Sequence, residues 1–258
     1  MSEDKGVRVM REAGVGRVVL DRPERRNALD LSMRAAIRDA FEQLTDDADV
    51  RVIVVTGGDR VFAAGADLNM LVACDAPGVN ALELGRYWRP VAQCPKPVIA
   101  AVSGLALGAG CELAMMCDII VADADTRFGQ PECRVGIMPG AGGTQRLLRA
   151  VGRPVASFML MTGEMLDGER AWQLGLASVL AEPGQVQARA TEIAARIAAM
   201  PPLALAAIKR VLGSGGDLPL EHALSLEQRE FSLLFDSADQ HEGMQAFLDR
   251  RTPVFTGR

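Results

Sequence analysis

Two glutamates set in apolar or glycine-rich sequence are the residues best suited to acid–base chemistry. Glu112 lies in the string GAGCELAMMCD, and a carboxylate among apolar neighbours is costly to bury in its ionised form unless it is paired or used. We therefore expect its pKa to rise toward the range useful for acid–base catalysis. Glu132 lies twenty positions later, in FGQPECRVG. Two carboxylates flanking one water could share its activation, one accepting a proton while the other donates one.

Each glutamate also has a purely structural interpretation. Glu112 falls in the first turn of a predicted helix, where a negative charge interacts favourably with the helix dipole. Glu132 considered alone would be an ordinary loop acid. The residues by themselves leave both interpretations open, and the catalytic hypothesis depends on the two carboxylates acting together.

Two turns made of small residues could supply backbone N–H groups to a ligand. They are Ala64–Gly65–Ala66 and Gly108–Ala109–Gly110, and the second turn opens the helix that carries Glu112. Small residues allow close approach to the backbone, and a helix N-terminus favours negative charge. Two such N–H groups could bind the oxygen of a developing enolate, although tight packing of loop on sheet is the alternative.

The elements around these residues predict an α/β fold. A fully apolar strand, Val98–Val102, is followed by the glycine loop 104–110, a helix from Cys111 to Met116 and a strand from Asp118 to Ala122. Such a unit favours parallel strands covered on both faces. Further predicted elements are strands at 7–10, 16–20 and 52–55, a helix capped by Asp30 or Ser32 with the apolar face Met33, Ile37, Phe41 and Leu44, and a helix at 82–91.

The second half of the chain is predicted to be helical. Strand signals fade from Arg153 onward, and helical patterns cover 188–200, 203–212, 220–235 and 242–250, with a new start at Pro201–Pro202. We predict an α/β core over residues 1–195 and a C-terminal helical region over 196–258. So many apolar positions in short helices either cover the core or pack on a neighbouring subunit.

Composition excludes several classes of protein. The 258 residues carry a net charge of −5, which gives no basic excess for nucleic acid or anionic membrane. Met1–Lys5 is polar, and no apolar run is long enough to span a bilayer, so the cytoplasm is the expected location. The five cysteines form no CxxC pair, and the two histidines lie in polar helical sequence. We therefore expect no disulfide framework, no metal site and no histidine-based catalysis. Dinucleotide-binding and P-loop glycine motifs do not occur either.

One long segment resembles the crotonase (enoyl-CoA hydratase) family. It is PKPVIAAVSGLALGAGCELAMMCDIIVADADTRFGQPECRVGIMPGAGGTQRL, residues 95–147, and the resemblance continues in LDRPERRNALD, FAAGADL, MTGEM and EGMQAFLDRR. These strings cover nearly the whole chain in order. The resemblance implies a crotonase-like ββα spiral core with a C-terminal helical trimerisation region, and a homo-oligomer that is a trimer or a dimer of trimers.

The resemblance also implies roles for particular residues. Glu112 matches the glutamate that activates water, and Glu132 matches the one that protonates the substrate α-carbon. The backbone N–H groups of Ala66 and Ala109 match the oxyanion hole for the thioester oxygen. The matching positions for substrate and coenzyme A are Arg25, Arg26, Ala28, Ala64, Asp67, Leu68 and Gly108, with Phe247 and Arg250 reaching the coenzyme A of a partner subunit. Coenzyme A is then part of an acyl-CoA substrate, and no separate cofactor is expected.

Three positions depart from the family pattern. Asn69 stands where hydratases often carry a lysine near the coenzyme A phosphates, Ala109 stands where many members have glycine, and Cys133 replaces an aliphatic residue. An N–H group remains at Ala109, so the oxyanion hole is expected to survive. With both glutamates present, the resemblance predicts addition of water to a trans-2-enoyl-CoA. The alternatives are isomerisation, dehalogenation or carboxyl-group chemistry on the same scaffold, or a non-catalytic acyl-CoA- or RNA-binding member.

Overall fold

A computed structural model describes residues 6–258, so the predicted polar N-terminus, Met1–Lys5, lies outside the described residues. The strands are β1 (Val7–Glu12), β2 (Val15–Leu20), β3 (Val52–Thr56), β4 (Val61–Ala63), β5 (Val98–Val102), β6 (Leu105–Leu107), β7 (Ile119–Asp123), β8 (Arg127–Gly129), β9 (Met165–Asp167) and β10 (Val179–Ala181). The helices are α1 (Leu31–Asp46), α2 (Leu68–Leu71), α3 (Ala76–Ala81), α4 (Gly85–Ala92), α5 (Ala109–Met116), α6 (Gly143–Thr162), α7 (Gly168–Gln173), α8 (Val186–Ala198), α9 (Pro202–Gly215), α10 (Leu220–Leu234) and α11 (Ala238–Leu248).

The larger sheet has six strands in the order β1-β2-β3-β5-β7-β10. Its pairs are parallel except for β1 and β2, which form the hairpin predicted around Gly14. Alternate residues of β3 face opposite layers: Ile53 and Val55 pack in the layer that contains α1, and Val52 and Val54 pack against α8. Both faces are therefore covered, which explains why the central strands are apolar throughout.

Helix α1 forms as its sequence predicts. Asp30 caps it by accepting a hydrogen bond from the Met33 N–H at 2.8 Å. The four apolar residues predicted to form one face are all completely buried: Met33, Ile37, Phe41 and Leu44. The helix thus closes one side of the larger sheet through side chains spaced at the helical period.

A second, four-stranded sheet has the order β4-β6-β8-β9. Successive units of the chain place one strand in the larger sheet and the next in the smaller sheet, as in β5–β6–α5 and β7–β8–α6. This alternation is the ββα spiral that the sequence resemblance implies, so the predicted fold is confirmed.

The short strands are the main elements that the sequence analysis missed. β4, β6 and β8 lie in stretches interpreted as turns or loops, and β9 and β10 lie beyond Arg153, where strand signals were predicted to fade. Each has three residues, which is too short to show a period of two. Neighbouring strands stabilise them. The helix predicted at 82–91 also begins later, at Gly85, and a separate short helix, α3, precedes it.

The last three helices carry many apolar side chains on exposed faces. Pro202 occupies the first turn of α9, as predicted at Pro201–Pro202. The exposed apolar residues of this region include Ile208, Leu212, Leu220, Phe231, Leu233, Met244, Phe247 and Leu248. Contacts between this C-terminal region and the core include an ion pair of 2.6 Å between Lys209 and Asp118 and a hydrogen bond from Arg51 to the Phe255 carbonyl.

The predicted division after residue 195 falls inside α8, whose buried side chains pack on the larger sheet, and it stays a prediction. Within residues 6–258, no single helix is long and apolar enough to cross a bilayer, although α8 and α9, bent by 111°, pass that test together.

Candidate active site

Glu112 is buried in the first turn of α5. The residue is only 2 % exposed, and its Oε1 accepts hydrogen bonds from the N–H groups of Ala141 (2.7 Å) and Gly143 (2.8 Å). These donors belong to the glycine turn that opens α6. They hold one carboxylate oxygen of Glu112 in place, so α6 positions a residue of α5.

Glu132 lies in the 3₁₀ turn Pro131–Val135, and its side chain is half-buried. A methyl group built on Gly108 would lie 2.9 Å from Glu132 Oε1, so this carboxylate contacts the turn that starts α5. The Gln130 amide is completely buried and, oriented with its nitrogen toward Glu132, donates to both carboxylate oxygens at 3.2 Å. The two glutamates predicted from sequence therefore meet at the N-terminal end of one helix.

The environment of Glu112 shifts its pKa in two opposite directions. Burial raises the pKa of Glu112 above its ordinary value, because the charged form loses its hydration. The two N–H donors lower the pKa, and the guanidinium groups of Arg34 and Arg146 lower it further. Glu112 thus keeps groups that favour its carboxylate form, which is the form a general base requires.

In the described part of the chain, no guanidinium group acts on Glu132 in this way. Burial raises the pKa of Glu132 to about 7, and the negative charge of Glu112 adds to the rise. At neutral pH, a large share of Glu132 therefore carries a proton. Environments that separate the pKa values of two carboxyl groups distinguish a base from an acid, and here they favour Glu112 as base and Glu132 as acid.

Two backbone N–H groups at or beside the start of α5 are the predicted oxyanion donors. Gly65 has a φ of +110°, and a methyl group built on it would lie 3.9 Å from the Ala109 nitrogen, so the Ala64–Ala66 turn adjoins the start of α5. Within residues 6–258, neither the Ala66 N–H nor the Ala109 N–H donates to a protein acceptor. Gly110 must be glycine because a methyl group there would lie 2.3 Å from the Ala63 carbonyl oxygen. The predicted oxyanion donors are thus adjacent and available.

Asn27 links the segment of Arg25, Arg26 and Ala28 to β4, which leads into Ala64–Leu68. These two segments carry the residues predicted to line the coenzyme A groove, but Asn27 itself was not predicted. It is completely buried, and its amide donates to the carbonyls of Val61 (3.0 Å) and Phe62 (3.1 Å) while its oxygen accepts from the Arg22 N–H. Its φ of +52° is unusual for a residue other than glycine. Asparagine tolerates this left-handed conformation better than most residues, so the residue type is the sequence signal that could have identified this position.

The predicted groove residues lie on these two joined segments. The Ala64 N–H donates to the Arg26 carbonyl (3.0 Å), and the Leu29 N–H donates to the Gly65 carbonyl (2.8 Å), which places Ala28 beside the oxyanion turn. Arg25, Arg26 and Leu68 are exposed. Asp67 caps α2 and also accepts a hydrogen bond from the Asn69 side chain at 3.0 Å, so Asn69 is engaged with its own helix.

Phe247 and Arg250 are not part of this cluster of contacts. Phe247 lies on α11 and is 83 % exposed, and Arg250 follows the helix with a φ of +55° on an exposed surface. The roles predicted for both residues involve a partner subunit. Among residues 6–258, no group of three or more histidine, cysteine or acidic side chains could hold a metal ion.

Comparison with known proteins agrees with this fold. Residues 10–258 match the model of the family described as enoyl-CoA hydratase/isomerase. The chain is 42 % identical over 250 residues to the 2,3-dehydroadipyl-CoA hydratase of Escherichia coli K12, covering 97 % of this chain and 98 % of that protein. It is 38 % identical to the crotonyl-CoA hydratase of Syntrophomonas wolfei, covering 93 % of each chain.

Solved structures are similar over nearly the whole length. An enoyl-CoA hydratase subunit from Geobacillus kaustophilus HTA426 superposes with a TM-score of 0.95 at 42 % identity, covering 98 % of each chain. The enoyl-CoA hydratase of Mycobacterium tuberculosis H37Rv has a TM-score of 0.89 at 36 % identity, covering 98 % of this chain and all of that one (100 %). The chain therefore has the crotonase fold, belongs to the enoyl-CoA hydratase/isomerase family and is a hydratase of that family.

Proposed function

We propose that this hydratase adds water across the double bond of a trans-2-enoyl-CoA and produces a 3-hydroxyacyl-CoA. The observation that carries the proposal is the meeting of two buried or half-buried carboxyl groups with different pKa shifts beside two unpaired backbone N–H groups. The substrate class is supported by the family, whose members process acyl-CoA thioesters.

The reaction begins with binding of the thioester oxygen by the N–H groups of Ala66 and Ala109. Glu112 removes a proton from a water molecule as the water oxygen forms its bond to the β-carbon. The electron pair of the double bond then moves toward the thioester oxygen, and the two donors stabilise that charge. A donor of this kind typically contributes about 3–4 kcal/mol.

Glu132 completes the addition by donating its proton to the α-carbon. The enolate returns to a thioester as this C–H bond forms, so one water has been added to one double bond. Because both carboxyl groups lie at the same end of α5, the oxygen and the hydrogen arrive on the same face of the substrate. Glu112 ends protonated and Glu132 ends ionised, and a proton passing between them restores the enzyme.

The finer features of the substrate and assembly also belong to this proposal. Two relatives are named for different acyl groups, a dehydroadipyl and a crotonyl chain, so we propose a role in fatty acid or related acyl-CoA degradation without fixing the chain. The exposed apolar faces of α9, α10 and α11 support a homo-oligomer, a trimer or a dimer of trimers. In it, Phe247 and Arg250 contact the coenzyme A of a partner subunit. We further propose a cytoplasmic enzyme that needs no cofactor beyond its substrate.

The test follows the loss of enoyl-thioester absorbance with crotonyl-CoA. Glu112→Gln and Glu132→Gln are each expected to lower kcat by about 10²–10⁴-fold with little change in KM, because each removes one proton transfer. Glu164→Gln is the matched control, since Glu164 is an exposed acid paired only with Arg134 at 3.6 Å. Near-normal turnover in both active-site variants, or conversion of a trans-3-enoyl-CoA faster than hydration, would refute the proposal.

A further inference from the structure

Arg34 is a buried cation close enough to Glu112 to act on its charge. It lies in the first turn of α1 and is only 3 % exposed. Its Nε donates to the Leu29 carbonyl at 2.9 Å, and its guanidinium carbon lies 5.0 Å from the centre of the Trp88 ring. These two contacts fix the plane of the guanidinium and leave its outer edge, formed by Nη1 and Nη2, for another group.

That outer edge has no acceptor in the described part of the chain. Neither Nη1 nor Nη2 of Arg34 donates a hydrogen bond, and no carboxylate lies within 4.0 Å of the guanidinium. The adjacent Trp88 Nε1 is also enclosed without an acceptor. An enclosed indole N–H without an acceptor is costly, and so is a guanidinium on a residue only 3 % exposed whose two terminal nitrogens have no protein acceptor.

Arg34 keeps its charge in spite of this burial. Loss of hydration lowers its pKa to about 10, and the charge of Glu112 is the largest influence in the opposite direction. The guanidinium is therefore cationic at neutral pH. Guanidinium groups bind carboxylates with paired N–H donors, which suits the two unused nitrogens.

The position of Arg34 relates it to the reacting centre. Leu29, which accepts from Arg34, is joined to Gly65 by a hydrogen bond and forms a bridge with Ala66, the proposed oxyanion donor. Trp88 lies on α4, which packs between α1 and α5. Arg34 therefore adjoins the oxyanion turn on one side and the helix of Glu112 on the other.

No carboxylate in the described part of the chain pairs directly with Arg34. Glu112 and Asp30 both act on its charge, but neither lies within 4.0 Å of the guanidinium. Asp30 is paired with Arg22 at 2.7 Å, and Glu112 accepts from the N–H groups of Ala141 and Gly143. A carboxylate on a ligand would give Arg34 the direct partner that the protein does not supply.

We propose that Arg34 binds a carboxylate carried by the acyl chain of the substrate, so that the enzyme selects enoyl-CoA thioesters with an acidic acyl group. This inference rests on the proposed function, because it places the acyl chain between the oxyanion donors and Arg34. It makes Arg34 a specificity-determining residue and not a participant in the proton transfers.

Binding of saturated acyl-CoA thioesters tests the inference without depending on turnover. Calorimetry would compare ω-carboxyacyl-CoA esters of several chain lengths with their methyl esters, which have nearly the same shape but no charge. At the best-fitting length we expect the wild-type enzyme to bind the carboxylate about 100-fold more tightly than the ester. Arg34→Leu is expected to reduce this ratio to near one, and Arg34→Lys to retain part of it.

Arg38→Leu is the matched control. Arg38 lies one turn later on α1 and pairs with Asp39 through Nη2 at 2.6 Å, so the preference for the carboxylate should persist. Equal binding of acid and ester by the wild type at every length would overturn the inference, as would an unchanged ratio in Arg34→Leu. If Arg34→Leu instead slows crotonyl-CoA hydration and leaves the binding ratio intact, Arg34 acts through Glu112. Hydration of crotonyl-CoA without any carboxylate preference would sink only this inference and leave the proposed function standing.

Discussion

The site around Glu112 and the C-terminal helices differ in how completely a single chain buries and pairs their side chains. At the site, one chain supplies the carboxylates, the N–H donors that hold Glu112 and the amide of Gln130 that faces Glu132. In α9, α10 and α11, large apolar side chains point outward, and a cavity of about 260 Å³ opens between these helices. The carboxyl groups of the proposed chemistry therefore come from a single chain, whereas the helical region presents a surface that one chain leaves uncovered.

This difference separates two kinds of sensitivity to mutation. Close packing around Glu112 means that one added methyl group alters the geometry of proton transfer. The outer helices tolerate changes of shape but depend on remaining apolar. A substitution in one of these two regions should therefore leave the other region intact.

Outside the two glutamates themselves, the largest effect is expected from Gly143→Ala. The new methyl group would lie 2.9 Å from Glu112 Oε1 and 2.7 Å from the Pro139 side chain. It would displace the carboxylate from its two N–H donors, so we expect kcat for crotonyl-CoA to fall by about 100-fold. Gly140→Ala is the matched control in the same turn, because nothing lies within 4 Å of its added methyl group. Equal losses in both variants would show that the turn matters for folding and not for placing Glu112.

The next effect concerns the pH dependence of the wild-type enzyme. Glu132 must be protonated to act as the acid, and its pKa is raised to about 7. We expect kcat/KM to decline toward tenfold per pH unit above that value. On the acid side, activity should fall as Glu112 gains a proton, at a pH above its ordinary 4.5 because burial raises its pKa. The two groups interact, so the measured values describe the pair. A rate that stays constant from pH 6 to about pH 9 would contradict these roles.

A smaller effect on turnover is expected from the C-terminal helices. Phe231→Asp places a charge on an exposed apolar face of α10, and we expect sedimentation to show loss of the proposed oligomer. The activity per chain should fall by about tenfold or less, since Glu112 and Glu132 are not touched. Phe231→Leu keeps the surface apolar and should keep the oligomer. A wild-type enzyme that is monomeric at all concentrations would show that these apolar faces do not form a subunit interface.

The smallest effect is expected at Asn69. Its side chain donates to Asp67 and offers no positive charge to the coenzyme A phosphates. Asn69→Lys should lower KM by about two- to threefold without changing kcat, because an exposed ion pair contributes at most about 1 kcal/mol. Asn69→Gln is the neutral control. The same decrease in KM for both variants would show that charge is not the cause.

Much of the fold could be predicted from the sequence because its longer elements repeat a pattern. The burial of the α1 face follows from its helical period, and the strand β5 follows from its continuous apolar run. A cap at Asp30 or Ser32 follows from residue type, and the structure places it at Asp30. The three-residue strands could not be predicted, since they are too short for any period and exist because neighbouring strands offer hydrogen bonds. The pairing of β8 with β9 is of this kind, since Phe128 pairs with Leu166, thirty-eight positions later in the chain.

The sequence by itself determined which side chains are available: two glutamates in apolar or glycine-rich settings, two small-residue turns, and a tail of helices rich in apolar positions. Only the tertiary structure decided which of them meet. Ala141 and Gly143 hold Glu112, Gln130 faces Glu132, and Arg34 comes to lie beside Trp88. The physical reason is that a pKa and an unpaired donor depend on distances between groups far apart in the chain, and those distances exist only after packing.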